Sequence, residues 1–205
     1  MKKNKSNKNL LLIFTRNPEL GKVKTRLAKD LGDETALEIY KFLIQHTVKT
    51  TQDVTSDKQV HYSVKIREND YWNEDIFYKK QQKGADLGER MNFAFQKGFE
   101  EGYKNIIIIG TDLYDIAATD IEEAFLELEN HNFVIGPAED GGYYLLGMNS
   151  LHSDLFKNKD WGTASVLKDT LANLNGSSVK LLKPRNDVDI LDDIKNIPEF
   201  KKFIK

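Results

Sequence analysis

Hydrophobic positions along this chain form two kinds of pattern: short unbroken runs, and stripes at helical spacing. Residues 10–14 read LLLIF, and residues 106–109 are four isoleucines in a row. Neither run has an amphipathic period, which predicts strands covered on both faces, as in the middle of a parallel sheet. Leu37, Tyr40, Ile44 and Val48 recur at helical spacing and predict a helix over residues 36–49. Val60, Tyr62, Val64 and Ile66 alternate with polar residues, predicting a strand. Residues 69–75 are polar and aromatic, a loop. Leu87, Met91, Ala94 and Phe95 mark a second long helix that ends near Gly102. Thr119-Asp-Ile-Glu122 reads as a capping box opening a helix whose Ile121, Phe125 and Leu128 face inward. Strands follow over residues 133–135 and 143–148, a helix over 164–174, a strand over 179–182, and a helical tail over 190–203 interrupted by Pro198. The four prolines, Pro18, Pro137, Pro184 and Pro198, all fall at boundaries in this reading.

Strands that alternate with helices predict an α/β class with a mainly parallel sheet flanked by helices. The 205 residues show no internal repeat and no linker rich in Gly, Ser or Pro, so one domain is expected over residues 10–205. The basic start, MKKNKSNK, is expected to be a disordered tail over residues 1–9. The apolar run behind it is shorter than the about seven to fifteen residues of a signal-peptide core. No stretch reaches the ~20 apolar residues of a membrane span, and a cytoplasmic location is expected. A net charge of −2 gives no global case for nucleic-acid binding. The absence of cysteine excludes disulfides, thiolate–zinc sites and cysteine nucleophiles. His46, His61, His131 and His152 are scattered without metal-binding spacing and read as structural or surface residues.

Chemistry enters at the loops. Gly110 ends the isoleucine run and Asp112 follows it. Ligands of open α/β sheets bind at the carboxyl ends of strands, so Asp112 is placed for chemistry or a metal, or it caps a turn or helix. Residues 18–27, PELGKVKTRL, bring Lys22, Lys24 and Arg26 behind a glycine turn after the first strand. Such a loop can hold phosphates through backbone N–H groups, lysine point charges and the planar arginine fork; it can also be a solvated basic helix start. It matches neither the Walker A pattern nor the dinucleotide fingerprint. Residues 82–91, QKGADLGERM, place Gly84 and Gly88 before a helix N-terminus, either to free backbone amides for a ligand or as a plain loop with Asp86 complementing the helix dipole. Residues 136–144, GPAEDGGYY, form either a hairpin turn or an acceptor site of acid and bare backbone beside two rings. Asp187 and Asp189, two apart at a strand end, point the same way and can bind Mg²⁺ with a third carboxylate, or serve a turn or cap.

In this order, these segments resemble the DUF2064 family of bacterial proteins, which is similar to the nucleotide-diphospho-sugar transferases of the GT-A fold. The resemblance rests on Pro18 to Leu27, Gln82 to Met91, Gly110 to Asp112, Gly136 to Gly147, Trp161 and Asp187-Val-Asp189, and spans about residues 10–194. It implies a single-domain GT-A-like fold and a Mg²⁺-dependent (or Mn²⁺-dependent) transferase using a nucleotide-activated donor. Some family members are labelled glycosyltransferases of arsenosugar biosynthesis, so transfer from a nucleotide-diphosphate sugar is the first expectation. A nucleotidyltransferase similar to the phospholactate guanylyltransferases, using a nucleoside triphosphate, is the second. A non-catalytic nucleotide-binding module is the third, and the intact Asp112, Asp187 and Asp189 argue against it. The implied roles are catalysis for Lys24, Arg26 and Asp112; nucleotide binding for Thr15, Lys24, Thr25, Arg26, Gln82, Gly84, Asp86, Gly88 and Arg90; acceptor binding for Asp140, Gly141, Gly142, Tyr143 and Trp161; and metal binding for Asp112, Asp187 and Asp189. The implied partners are a nucleotide or nucleotide-sugar donor and a small-molecule acceptor. Where the family often has Cys and Pro after Asp112, this chain has Leu113 and Tyr114, and loss of the proline is expected to loosen the turn that holds Asp112.

Overall fold

A computed structural model describes residues 8–204. The elements in chain order are β1 (Asn9–Thr15), α1 (Thr25–Leu31), α2 (Asp33–Thr51), β2 (Asp57–Tyr62), β3 (Phe77–Gln81), α3 (Leu87–Glu100), β4 (Asn105–Ile109), α4 (Ala118–Glu127), β5 (Phe133–Pro137), β6 (Tyr143–Met148), α5 (Val166–Asn173), β7 (Val179–Leu181) and α6 (Leu191–Ile194). Single 3₁₀ turns cover Ser153–Phe156 and Pro198–Phe200. The strands form one seven-stranded sheet in the order β3-β2-β1-β4-β6-β5-β7. β6 alone runs against its neighbours; the other pairings are parallel.

The unbroken apolar runs take the centre because both faces of the sheet are covered. Leu11, Ile13, Ile107 and Ile109 belong to one core with Tyr40 and Ile44 of α2 and Ile121 and Phe125 of α4. Leu10, Leu12, Ile106 and Ile108 belong to the other, with Met91 and Phe95 of α3. Full burial of each such side chain stabilises by about 1.5–3 kcal/mol, so this register is held firmly. A third cluster joins Leu27 of α1, Ile39 and Leu43 of α2, Val188, Ile194 and Phe200. It docks the C-terminal segment onto the first two helices.

The periodicity misled in identifiable places. The strand expected through Ile66 ends at Tyr62, and Val64 and Ile66 are exposed. The reason is Asn17: its Oδ1 accepts from the Val64 and Lys65 N–H groups (2.9 and 3.3 Å) and its Nδ2 donates to Lys65 O (2.8 Å), which draws the chain out of the ladder. β3 carries no alternation because it is an edge strand whose Phe77 alone is buried. α1 went unseen because it has only seven residues, with Leu27 its single buried side chain. The capping box expected at Thr119 lies one residue inside the helix. Asp120 accepts from the Ala117 N–H at 2.7 Å, and Glu122 accepts instead from the Thr55 N–H at 2.6 Å. Of the tail expected over residues 1–9, Asn9 already pairs with Asn105 in the sheet; residues 1–7 lie outside the described residues. The helical tail expected over residues 190–203 is reduced to α6 and a 3₁₀ turn started by Pro198. Among the described residues no helix is long and apolar enough to cross a membrane.

Candidate active site

The parallel strands β1, β2, β3 and β4 end on one edge of the sheet, and β6 begins there because it runs the other way. The direction of the chain order changes between β1 and β4, where open α/β sheets leave a crevice for ligands. A cleft of about 880 Å³ opens at that place. Thr15 at the end of β1, Arg16 and Asn17 after it, Ser63 and Val64 after β2, and Gln82 after β3 line one half. Asp112 lies in the middle. Asp140, Tyr143, Tyr144 and Trp161 line the other half, and the start of α3 also borders the cleft.

The three expected metal ligands are brought together by backbone pairing, although about 75 residues separate them in sequence. Leu113 and Asp187 form an antiparallel bridge, and the Val188 N–H donates to Asp112 O at 3.0 Å. Lys24 stands among these carboxylates: its ammonium is ion-paired to Asp112 and lies 3.1 Å from Asp189 Oδ1. The lysine side chain is only 4% exposed. Burial pulls its pKa down, but the charges of Asp112 and Asp189 outweigh this and hold it above the ordinary lysine value. To reach this place Lys24 adopts φ 47° and ψ 44°, left-handed backbone that costs a non-glycine residue roughly 1–2 kcal/mol. Arg26 is largely exposed and touches the cluster only through Asp189 Oδ2, at 3.5 Å; Thr25 is exposed at the start of α1.

Asp187 is the carboxylate that fits a cation. Its Oδ1 is buried and has no hydrogen-bond partner. Burial, and then the neighbouring Asp112, push its pKa up to about 7. Among the described residues no three acidic or imidazole side chains are already arranged around one ion; the Lys24 ammonium pairs with Asp112 and Asp189 instead.

The first half of the cleft is a scaffold of satisfied side chains. Gln82 Nε2 donates to His61 O (2.9 Å) and Thr15 O (3.4 Å). Arg90 donates to Gly84 O at 3.1 Å and Gln82 Oε1 at 3.5 Å, tying the loop to α3. Gly84 sits at φ 142°, and a Cβ there would fall 2.7 Å from the Arg90 backbone nitrogen. Asp86 caps α3, accepting from the Glu89 N–H at 2.8 Å, and it also lines the cleft. Tyr40 read only as a core position of the α2 stripe, yet its hydroxyl is a hub. It lies 3.0 Å from Thr111 Oγ1 and 3.3 Å from Thr15 Oγ1, and it accepts from the Arg16 N–H at 2.8 Å. It thereby links the loop after β1 to the loop that carries Asp112. A tyrosine in a helical stripe gives no sign of this, because the hydroxyl's partners come from two other strands.

The second half is a wall. The β5–β6 connection is a hairpin, closed by the Ala138 N–H donating to Gly142 O at 3.0 Å, and it also faces the cleft. Asp140 Oδ1 accepts from the Gly142 N–H at 2.9 Å. Gly141, at φ 90°, packs against Ala164 and accepts the Leu167 N–H at 2.9 Å. Gly88 serves packing: a Cβ there would meet Phe156 O at 2.5 Å and the Trp161 indole nitrogen at 2.7 Å, so its bareness seats Trp161 against α3. Burial raises the pKa of the Tyr143 phenol, whose oxygen lies 4.0 Å from Met91 Sδ. Tyr114, which stands where the family often has proline, is held by ring contacts. It stacks among His46, Phe42 and Phe200 with ring centroids 4.7, 5.8 and 4.9 Å away.

Comparison with solved structures places this geometry among known folds. A structure from Desulfovibrio desulfuricans G20, provisionally described as a nucleotide-diphospho-sugar transferase, is 30% identical. The match covers 96% of this chain and 91% of that one at a TM-score of 0.86. A cytidylyltransferase from Leptospira borgpetersenii serovar Hardjo-bovis shares the fold at 12% identity and TM-score 0.58, covering 97% of this chain and 89% of that one. The inositol-1-phosphate CTP transferase from T. maritima does so at 14% and 0.54, covering 95% and 94%. No curated protein matches the sequence. Residues 46–163, more than half of the chain, match the family described as uncharacterized protein conserved in bacteria (DUF2064). With that match and the 30% identity along nearly the whole of its length, the chain belongs to the DUF2064 family and has the α/β fold of the nucleotide-diphospho-sugar transferases.

Proposed function

We propose that this protein is a transferase that binds a nucleotide-activated donor with a divalent cation, and that the donor is a nucleotide-diphosphate sugar. The observation that carries the reading is the position of Asp112. It stands at the sheet's crevice between a half bearing Arg16, Lys22 and Arg90 and a half bearing Asp140, Tyr143 and Trp161, in one continuous cleft. Phosphates belong with the cations, and the acceptor belongs with the rings and the carboxylate. The names of the related structures, all nucleotide-using transferases, support the same class.

Asp112 and the orphaned Asp187 would hold Mg²⁺ or Mn²⁺, with Asp189 beside them, since hard oxygen ligands suit both ions. A bound ion supplies positive charge against the charge that builds on the leaving phosphate. Lys24, freed from the carboxylates, is placed to pair with phosphate oxygens, and Arg26 stands two residues on, largely exposed beside Asp189. Tyr40 and Thr111 hold the Asp112 loop against the β1 loop. In sugar transfer the acceptor oxygen bonds to the anomeric carbon and the bond from that carbon to the β-phosphate oxygen breaks. The electron pair leaves on the nucleoside diphosphate, and the hydroxyl proton passes to Asp140.

The second reading is nucleotidyl transfer, favoured by the cytidylyltransferase neighbours and by the supply of Lys22, Lys24 and Arg26 for a triphosphate. The two differ in product. Incubation with Mg²⁺, nucleotide sugars, nucleoside triphosphates and a panel of acceptors is expected to release nucleoside diphosphate dependent on acceptor. Acceptor-dependent pyrophosphate release without nucleoside diphosphate would establish the second reading instead.

A further inference from the structure

We infer that the acceptor is an uncharged hydroxyl compound, a sugar or other polyol bearing neither phosphate nor carboxylate. The inference rests on the reading above, because it takes Asp112 as the place where donor and acceptor meet.

Charge is divided unevenly along the cleft. Of its lining cations, Arg16 and Lys22 belong to the half that follows β1, where Glu19 also stands, while Arg90 is on α3, whose start borders both halves and carries Asp86. Arg90 is turned toward the first half by its bonds to Gly84 and Gln82. The half beyond Asp112 is lined by Asp140, Tyr143, Tyr144, Trp161, Thr163 and Val166, and no lysine, arginine or histidine among the described residues lines it. Arg185 pairs with the backbone behind this wall, but its guanidinium is given to Asp120 at 2.6 Å and to Asp115 at 3.1 Å.

A phosphorylated acceptor would bring its charge to the Asp140 carboxylate with no lysine, arginine or histidine lining that wall to answer it, the metal and Lys24 being engaged by the donor phosphates, and like charges juxtaposed in a binding site are strongly disfavoured. An uncharged polyol meets suitable groups at every surface. Asp140 has one oxygen fixed by the Gly142 N–H and stays exposed, so it can accept from a ligand hydroxyl. Trp161, half-buried and seated by one edge on Gly88, offers an aromatic face to the apolar C–H face of a sugar ring. The Thr163 hydroxyl donates to Asp160 O at 2.8 Å and keeps a lone pair that can accept from a ligand hydroxyl. This is a wall for stacking and hydrogen bonding, unlike the cationic half opposite.

The test begins with calorimetry, which selects the nucleoside diphosphate that binds tightest with Mg²⁺. With both present, the protein is titrated with glucose, mannose, ribose and inositol, each beside its monophosphate, while tryptophan fluorescence is followed. Trp161→Phe serves as the control that removes the signal. The neutral member of at least one pair is expected to bind roughly tenfold or more tightly than its monophosphate, and Asp140→Lys is expected to reverse that preference. Equal or tighter binding of the monophosphates overturns the inference and leaves the donor reading standing, as does failure of every pair to bind while the nucleotide binds. If no nucleoside diphosphate binds with Mg²⁺, the donor reading fails and the acceptor inference falls with it.

Discussion

Lys24 is the residue on which the candidate site turns, since one buried ammonium balances carboxylates that converge from distant segments. Removing one partner of such a group leaves uncompensated charge. Because Asp112 and Asp189 are each about two-fifths exposed, the cost is discounted for solvent screening. Lys24→Met is expected to lose roughly 2–3 kcal/mol in urea denaturation. Added Mg²⁺ is expected to restore more stability to the variant than it gives the wild type, and calorimetry is expected to show weaker nucleotide binding. His61 is a separate case, inside the sheet. It stacks on Phe14 at 5.3 Å, and burial, then Lys80, push its pKa down to about 3. The folded state cannot take a proton that the unfolded chain takes near pH 6.5. Its contribution is therefore complete above that pH and is lost as pH falls from about 6.5 toward 3, at about 1.4 kcal/mol per pH unit. His61→Phe is expected to flatten the acid limb, so that between pH 7.5 and 4.5 it loses roughly 2–3 kcal/mol less than the wild type; parallel limbs would contradict this.

At the scale of elements, α3 and the segment around Trp161 meet through a missing side chain. Gly88→Ala places a Cβ against a backbone carbonyl and an indole edge. Overpacking of this kind costs about 1–3 kcal/mol, and the variant is expected to shift the tryptophan emission as well as lower the melting temperature. The Asp112 loop is fixed differently, by the ring cluster of Phe42, Tyr114 and Phe200. Tyr114→Ala is expected to cost about 2–4 kcal/mol and to weaken nucleotide binding, whereas Tyr114→Phe keeps the packing and should retain both. These contacts also show which elements were legible. Strands β4 and β6 and helices α2 and α3 carry an apolar pattern that is complete within the segment. β2 ran on in the pattern past Tyr62 because the bonds that stop it come from Asn17, which is 47 residues away from Val64.

Across the whole molecule the half proposed for the donor and the wall proposed for the acceptor are carried by strands on opposite sides of the β1–β4 junction. A ligand that bridges them stabilises the fold as a unit. Nucleotide with Mg²⁺ at about 100 times its Kd is expected to add about 2.7 kcal/mol, which at about 2–4 °C per kcal/mol for a chain of this size is readily measured in a thermal melt. Mg²⁺ or nucleotide alone is expected to give a smaller shift, because Lys24 then still occupies the carboxylates. Equal shifts with and without the metal would count against a shared site.

What the sequence determined by itself was local: the α/β alternation, the buried central strands, and the loops that carry glycine, lysine and aspartate at strand ends. Those follow from the period of the apolar positions and from backbone chemistry within a few residues. Tertiary structure alone decided which charges meet. That Lys24 lies between Asp112 and Asp189, that Asp187 keeps an oxygen without a partner, and that the cations stand on one side of the cleft all depend on strand order and on the Leu113–Asp187 bridge. Tyr40 shows the same division within one residue. Its ring obeyed the helical stripe, while the partners of its hydroxyl were set by the approach of β1 and β4, a contact that no local pattern encodes.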